Sequence, residues 1–172
     1  MTANAYAATH DALTHLPNEY LLMDRLNQAV ALAERSTNLF ALLLVKPDNL
    51  GQLQQGHGHA FCEQLIVTVA TRLQQTFREP DTITRRRDDS FVILIPQIAD
   101  KQALGKLIQR LKKALSEPLH IDSHSIQLSF SLGKAIYPYD GISDELLMQH
   151  IEADLQTTTT DPQKPASADK AR

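Results

Sequence analysis

Cysteine is nearly absent from the chain. Cys62 is the only one, so no intrachain disulfide can form, and a reducing cytosol is the expected setting. Long apolar runs are missing as well, and none reaches the length that a bilayer crossing needs. The opening residues, MTANAYAATHDALT, lack the basic and apolar regions of a signal peptide. Neither charge dominates: 17 lysines and arginines stand against 20 aspartates and glutamates, for a formal net charge of −3. That balance excludes a general attraction to nucleic acid or anionic lipid and leaves only local patches to supply one. Glycine is scarce, at 6 of 172 residues. It is missing from TRRRDDSFVILIP, residues 84–96, which reads as a hairpin. Tight hairpins favour Gly or Asn at the bend, because the turns that match strand twist need φ > 0. Here the bend holds Arg86, Arg87, Asp88 and Asp89 instead.

What is present suits one soluble domain with a full core: 172 residues, 42% hydrophobic and 22% charged. Asn18 is placed to cap a helix reaching about Arg35, with Leu22, Leu26, Ala29 and Ala33 on one face. LFALLLV, 39–45, reads as a strand buried on both faces. KPDNLGQLQQGHGH, 46–59, carries loop and turn residues. Phe61, Leu65, Val69, Leu73 and Phe77 recur every four residues and predict a helix that ends before Pro80. A short strand at about 82–86 leads into the charged bend, and SFVILI returns as a buried strand closed by Pro96. Asp100 can cap a third helix, with Leu104, Ile108, Leu111 and Leu115 inward and Lys106, Lys112 and Lys113 on a solvated face; Gly105 weakens it slightly. LHID and SIQLSFSLGKAIYP read as a hairpin about SHS, and Ser143 can cap a last helix bearing Leu147, Ile151 and Leu155. Residues 1–10 are expected to be a flexible lead, 11–156 the domain, and 157–172 a disordered tail, the last having no aliphatic or aromatic residue larger than alanine. Helices alternating with hairpins predict an α/β or α+β sandwich, and the whole is expected to be a module cut from a longer protein.

Four segments, in order and in register, carry a resemblance. DALTHLPN, 11–18, resembles D-x-L-T-G-L-x-N, with His15 in place of the glycine. GHAFCEQL resembles G-H-x-x-G-D-x-x-L, with Cys62 and Glu63 replacing Gly and Asp. SFSLGKAIYPYDG, 129–141, is similar to S-x-G-x-A-x-Y-P-x-D-G, and EAD, 152–154, matches the A-D of a last signature. All four belong to the GGDEF domain of bacterial diguanylate cyclases, and the likeness covers roughly residues 9 to 156. It implies a central mixed, largely antiparallel five-stranded sheet flanked by helices. Against the family's R-Y-G-G-D-E-F, this chain reads RRRDDSF, residues 85–91. Arg87 and Asp88 replace the two glycines, Asp89 keeps the acid, and Ser90 replaces the glutamate.

The family joins two GTP molecules into cyclic di-GMP. That chemistry needs bare backbone beside phosphate, carboxylates on divalent metal, and cations on the terminal phosphates. The resemblance implies that this chain has lost all three and is no cyclase. Lys46 stands where the metal aspartate of D-x-D-x-F-K would be, so Mg²⁺ is not expected to bind productively, although Asp48 and Asp89 remain. Side chains at Arg87 and Asp88 crowd the phosphate path. The guanine-reading N-D pair is Gln54-Gln55, Glu63 keeps a carboxylate for the same base on a longer arm, and the late lysine falls at Asp161.

A second family site is R-x-x-D, five residues before the hairpin, which binds product. REPD supplies Arg78 and Asp81 in that register, and Arg110 is the nearest match to the arginine that the following helix adds; Arg85 or Arg86 could contribute further charge. Arg78 offers a planar fork to phosphate or a guanine edge, and Asp81 can accept from guanine N–H groups. The bland alternative is a solvated ion pair worth little. Three functions follow from the resemblance: a cyclic di-GMP-binding module; a dimerisation or scaffold domain, or a GTP-binding regulator, beside an EAL or sensor domain; and a residual cyclase, which is disfavoured. A metal at His57 and His59 lacks a third ligand at a recognisable spacing. Cys62 beside Phe61 reads as packing, and no nucleic-acid motif accompanies the triple arginine.

Overall fold

A computed structural model of the protein describes residues 3–155. The elements run α1 (Ala3–Thr9), α2 (Glu19–Glu34), β1 (Leu39–Pro47), α3 (Leu50–His57), α4 (His59–Thr76), β2 (Thr82–Arg85) and β3 (Phe91–Ile98). They continue with α5 (Lys101–Ser116), β4 (Leu119–Ile121), β5 (His124–Ile126), β6 (Phe130–Tyr137) and α6 (Asp144–Asp154).

Three helices begin where the sequence places a cap. The side chain of Asn18 accepts from the Leu21 amide at 3.1 Å, Asp100 from Ala103 at 2.8 Å, and Ser143 from Leu146 at 3.2 Å. Each satisfies an N–H that the helix itself leaves unpaired.

β1 lies in the middle of a four-stranded sheet of order β2-β3-β1-β6, in which all three pairings are antiparallel. Its alternation divides the core. Ala41, Leu43 and Val45 pack with residues of α4 and α5, while Phe40, Leu42 and Leu44 pack with residues of α2 and α6. Two buried faces explain the unbroken apolar run of this strand.

Four expectations need correction. Among the described residues the main sheet has four strands, not five, and no parallel pair; β4 and β5 form a separate two-stranded ribbon. SIQLSFSLGKAIYP is not one strand, because residues 127–129 are diverted between β5 and β6. There the Gln127 side-chain Nε2 donates to the Ser116 carbonyl at 2.9 Å, the Ser129 backbone N–H to Asn49 Oδ1 at 3.2 Å, and the Asp48 backbone N–H to the Ser129 carbonyl at 2.8 Å. Residues 50–57, read as loop, form α3, whose Leu50 and Leu53 pack against the core. Gly51 and Gly56 suggested turns, yet neither has positive φ or a close neighbour; only Gly58, at φ 95°, breaks the chain between α3 and α4. The lead expected to be flexible contains α1, and Tyr6 of that helix stacks on His10 just beyond it at 3.9 Å between ring centroids. The expected tail, 157–172, lies outside the described residues. Among the described residues no helix is long and apolar enough to cross a membrane.

Candidate functional site

The charged bend is held by its own backbone and by Asp88, one of the two residues that replace glycine. Arg86 N–H donates to the Ser90 carbonyl at 2.8 Å and Asp89 N–H to the Arg86 carbonyl at 3.1 Å. Asp89 itself takes the left-handed conformation, at φ 64°, which Asp tolerates better than most residues. The Asp88 carboxylate accepts from the Ser90 amide at 3.1 Å and from its hydroxyl at 2.5 Å, and Ser90 is fully buried. The turn is thus closed without bare backbone.

Two of the three arginines are internal ties. Arg85 donates to both carboxylate oxygens of Asp11, at 3.1 and 3.0 Å, and to Asp89. Asp11 also accepts from the amide and hydroxyl of Thr14, each at 2.8 Å. Burial pushes the Asp11 carboxyl up, but the Thr14 donors and the Arg85 guanidinium together bring it below its ordinary value. Arg86 reaches Glu152 at 2.7 Å and Glu19 at 3.6 Å. Both arginines are therefore occupied at the end of β2 remote from Asp81, and neither adds charge to the Arg78 site. Arg87 alone is exposed.

Lys46 is half-buried on β1, opposite Ser131 of β6. Burial raises the Asp88 carboxyl, yet the Ser90 donors, Arg86 and the Lys46 ammonium lower it overall. Lys46 and Asp88 thus share one charged neighbourhood. The hydroxyl of Ser131 donates to Asp48 at 2.8 Å, and Asp89 is engaged by Arg85. Among the described residues no three His, Cys, Asp or Glu side chains form a group that could hold a metal ion. The donors here do not fit a divalent cation: one carboxylate is tied to an arginine, another accepts from a hydroxyl, and an ammonium stands near a third.

Gln54 and Glu63 meet through His59. Its Nδ1 lies 3.2 Å from Gln54 Nε2 and its Nε2 lies 3.3 Å from Glu63 Oε2, on an exposed surface. His57 is not part of this link; it stacks on Phe61 at 4.3 Å and abuts His124 at 5.0 Å. Cys62 is buried, with its thiol pushed up by burial and by the charge of Asp89.

The second place is the turn between α4 and β2. Arg78 N–H donates to Asp81 Oδ2 at 3.3 Å, while Asp81 N–H donates to the Arg78 carbonyl at 3.0 Å. Arg110 of α5 donates to the carbonyl of Thr76, the last residue of α4, at 2.7 Å. The fold therefore brings Arg78, Asp81 and Arg110 to one cleft of about 380 Å³. Burial raises the Asp81 carboxyl above its ordinary value, and the Arg78 amide and the Arg78 and Arg110 charges offset this only in part. Arg78 is exposed, its guanidinium directed to no acceptor among the described residues.

The family model of the diguanylate cyclase GGDEF domain matches residues 8–164 of the chain. The chain belongs to the GGDEF family. It is 38% identical over 146 residues to MucR of Pseudomonas aeruginosa, a bifunctional diguanylate cyclase/cyclic di-GMP phosphodiesterase; the match covers 85% of this chain and 21% of MucR. The domain thus spans about a fifth of that relative's length. Among solved structures, a sensory box/GGDEF family protein from Caulobacter crescentus is 30% identical with a TM-score of 0.81, covering 87% of this chain and 97% of that one. The GGDEF domain of TpbB from Pseudomonas aeruginosa superposes with a TM-score of 0.83 at 24% identity, covering 87% of each chain.

Within this GGDEF domain, His15 occupies the family's glycine position and takes φ 63° itself, held by its amide to the Asp11 carbonyl at 2.8 Å. Sequence reading passed over Lys106, assigning it to a solvated face; it lines the Arg78 cleft with Arg110. The available signal was the spacing of four, which stacks Lys106 and Arg110 on one face of α5.

Proposed function

We propose that this GGDEF domain is a cyclic di-GMP-binding regulatory domain without cyclase activity. The observation that carries the reading is the convergence of Arg78, Asp81, Arg110 and Lys106 on one cleft. Cyclic di-GMP presents two phosphodiesters and two guanine edges. The guanidinium groups supply bidentate, charge-assisted donors for phosphate or for guanine O6 and N7, and the Asp81 carboxylate accepts from guanine N–H groups. Arg78 is free to turn toward a ligand, and Arg110 is already anchored beside it.

Against turnover of GTP stand the rebuilt bend and the missing metal set. Asp88 and Arg87 put side chains where phosphate would need backbone, and Lys46 presents an ammonium where a cation would need an acid. Relatives such as MucR, a bifunctional diguanylate cyclase/cyclic di-GMP phosphodiesterase, support a role in that signalling system, and the match to about a fifth of MucR's length is compatible with a regulatory part beside further domains.

Calorimetric titration with cyclic di-GMP tests the reading, with Arg78→Ala as the control. Micromolar binding that the substitution removes supports it. Absence of heat and of thermal stabilisation at saturating ligand turns the assignment to a scaffold, and Mg²⁺-dependent conversion of GTP overturns the inactive reading.

A further inference from the structure

We propose that a second cleft, between α5 and β6, binds a small organic anion with an apolar body, such as an aryl carboxylate. The cleft measures about 220 Å³ and shares no residue with the Arg78 cleft. Leu43 and Leu132, only 2% and 5% exposed, and Ile108 line its apolar part. An apolar cavity of about 150 Å³ is enough to take up benzene, so this one has room for a ring and a carboxylate.

Gly105 of α5 lines it as well. A glycine inside a helix is less favourable than alanine. No neighbour requires this one: a Cβ at Gly105 would meet nothing within 4 Å, and its φ is ordinary. Gly133, on the opposite wall, differs, because its Cβ would lie 2.2 Å from the Ile151 carbonyl oxygen. Packing therefore explains Gly133, whereas no contact requires glycine at position 105, where a larger side chain would enter open space at the cleft.

The polar lining sets the ligand's charge. Lys112 and Lys134 line the cleft, and neither is ion-paired among the described residues. The one carboxylate there, Asp154, accepts from the Lys134 backbone amide at 3.0 Å. Apolar walls with a few convergent polar groups are the usual make-up of a small-molecule site. Two ammonium groups beside a single, already engaged acid favour an anionic head group.

Benzoate titrated into the isotope-labelled full chain, followed by amide NMR shifts, tests this, with benzyl alcohol as the uncharged counterpart. Saturable shifts at Gly105, Gly133 and Lys134 are expected, with a dissociation constant on the order of 1 mM, as a small fragment in a few buried contacts gives. Benzyl alcohol should bind at least about fivefold more weakly, and Lys112→Gln with Lys134→Gln should bring benzoate down to its level. Gly105→Leu should abolish both, and Gly105→Ala should weaken both with an unchanged or raised melting temperature. No saturable shift at these amides, or undiminished binding in the folded Gly105 variants, overturns the site. Equal affinity for the two probes overturns the anion.

Discussion

Arg78 and Asp81 close a reciprocal ring: the Arg78 amide donates to the Asp81 carboxylate, and the Asp81 amide donates to the Arg78 carbonyl. The ring uses the Arg78 backbone and leaves its guanidinium out. The two residues therefore separate on substitution. Arg78→Ala should lower affinity for cyclic di-GMP by about ten- to a hundredfold, the worth of one charged hydrogen-bonding group, with the melting temperature unchanged. Asp81→Ala should lower affinity and also cost about 1 kcal/mol of stability. Calorimetry and thermal denaturation on the same samples distinguish them.

Binding at this cleft should weaken as pH falls toward the raised Asp81 value. Burial raises the Asp81 carboxyl above its ordinary 3.8, so it takes up a proton sooner than an exposed aspartate as pH falls. The protonated form accepts guanine N–H groups poorly. Affinity should be full at neutral pH and decline as pH drops through the raised value, while Asp81→Asn should remove that decline. For the free fold the sign is opposite: a raised carboxyl pKa favours the folded state at the acid side. Titrations across pH with both proteins provide the check.

The Asp11–Arg85 pair should matter to stability more than a surface ion pair. Both side chains are mostly buried, at 22% and 17% exposed, and the guanidinium contacts both carboxylate oxygens. Asp11→Ala leaves Arg85 with Asp89 alone and should cost about 2 kcal/mol. The folded Asp11 value lies below 3.8, so its contribution is present at neutral pH and is lost as pH falls through the unfolded and then the folded value. Urea denaturation at neutral and acid pH should show the wild type and variant converging in acid.

Restoring an acid at Lys46, near the end of β1, should not give a cyclase. Lys46→Asp removes the ammonium beside Asp88, and the Asp88 carboxyl should titrate at higher pH in consequence. Asp89 stays bound to Arg85, and Arg87 and Asp88 keep their side chains in the bend. Chromatography after incubation with GTP and Mg²⁺ should detect no cyclic di-GMP from either protein.

Gly133→Ala should be strongly destabilising, by about 3 kcal/mol or more, because the added carbon would lie 2.2 Å from the Ile151 carbonyl oxygen. β6 and α6 are pressed together at this point, and neither backbone can yield without breaking its own hydrogen bonds. A thermal melt is sufficient to measure it.

Local interactions made much of this protein legible from its sequence. The caps at Asn18, Asp100 and Ser143 act on amides three residues ahead, so their signal is contained in a few letters. The unbroken apolar run of β1 follows from two buried faces, and the Arg78–Asp81 pairing lies within the four letters REPD, although as a backbone ring and not the ion pair weighed from the sequence. Glycine composition misled at α3, since Gly51 and Gly56 mark no turn, and the strand pattern misled at residues 127–129, where Asn49 and Ser116 draw the chain aside.

What only the tertiary structure decided is the assignment of charges. Sequence alone determined that three arginines and two aspartates crowd one bend; it carried nothing to say that Arg85 binds Asp11, 74 positions away, or that Arg86 binds Glu152, 66 positions away. A charged side chain has no periodicity that names its partner. Coulombic attraction acts on whatever the sheet and helices bring within reach, so only packing could place the Lys46 charge near Asp88.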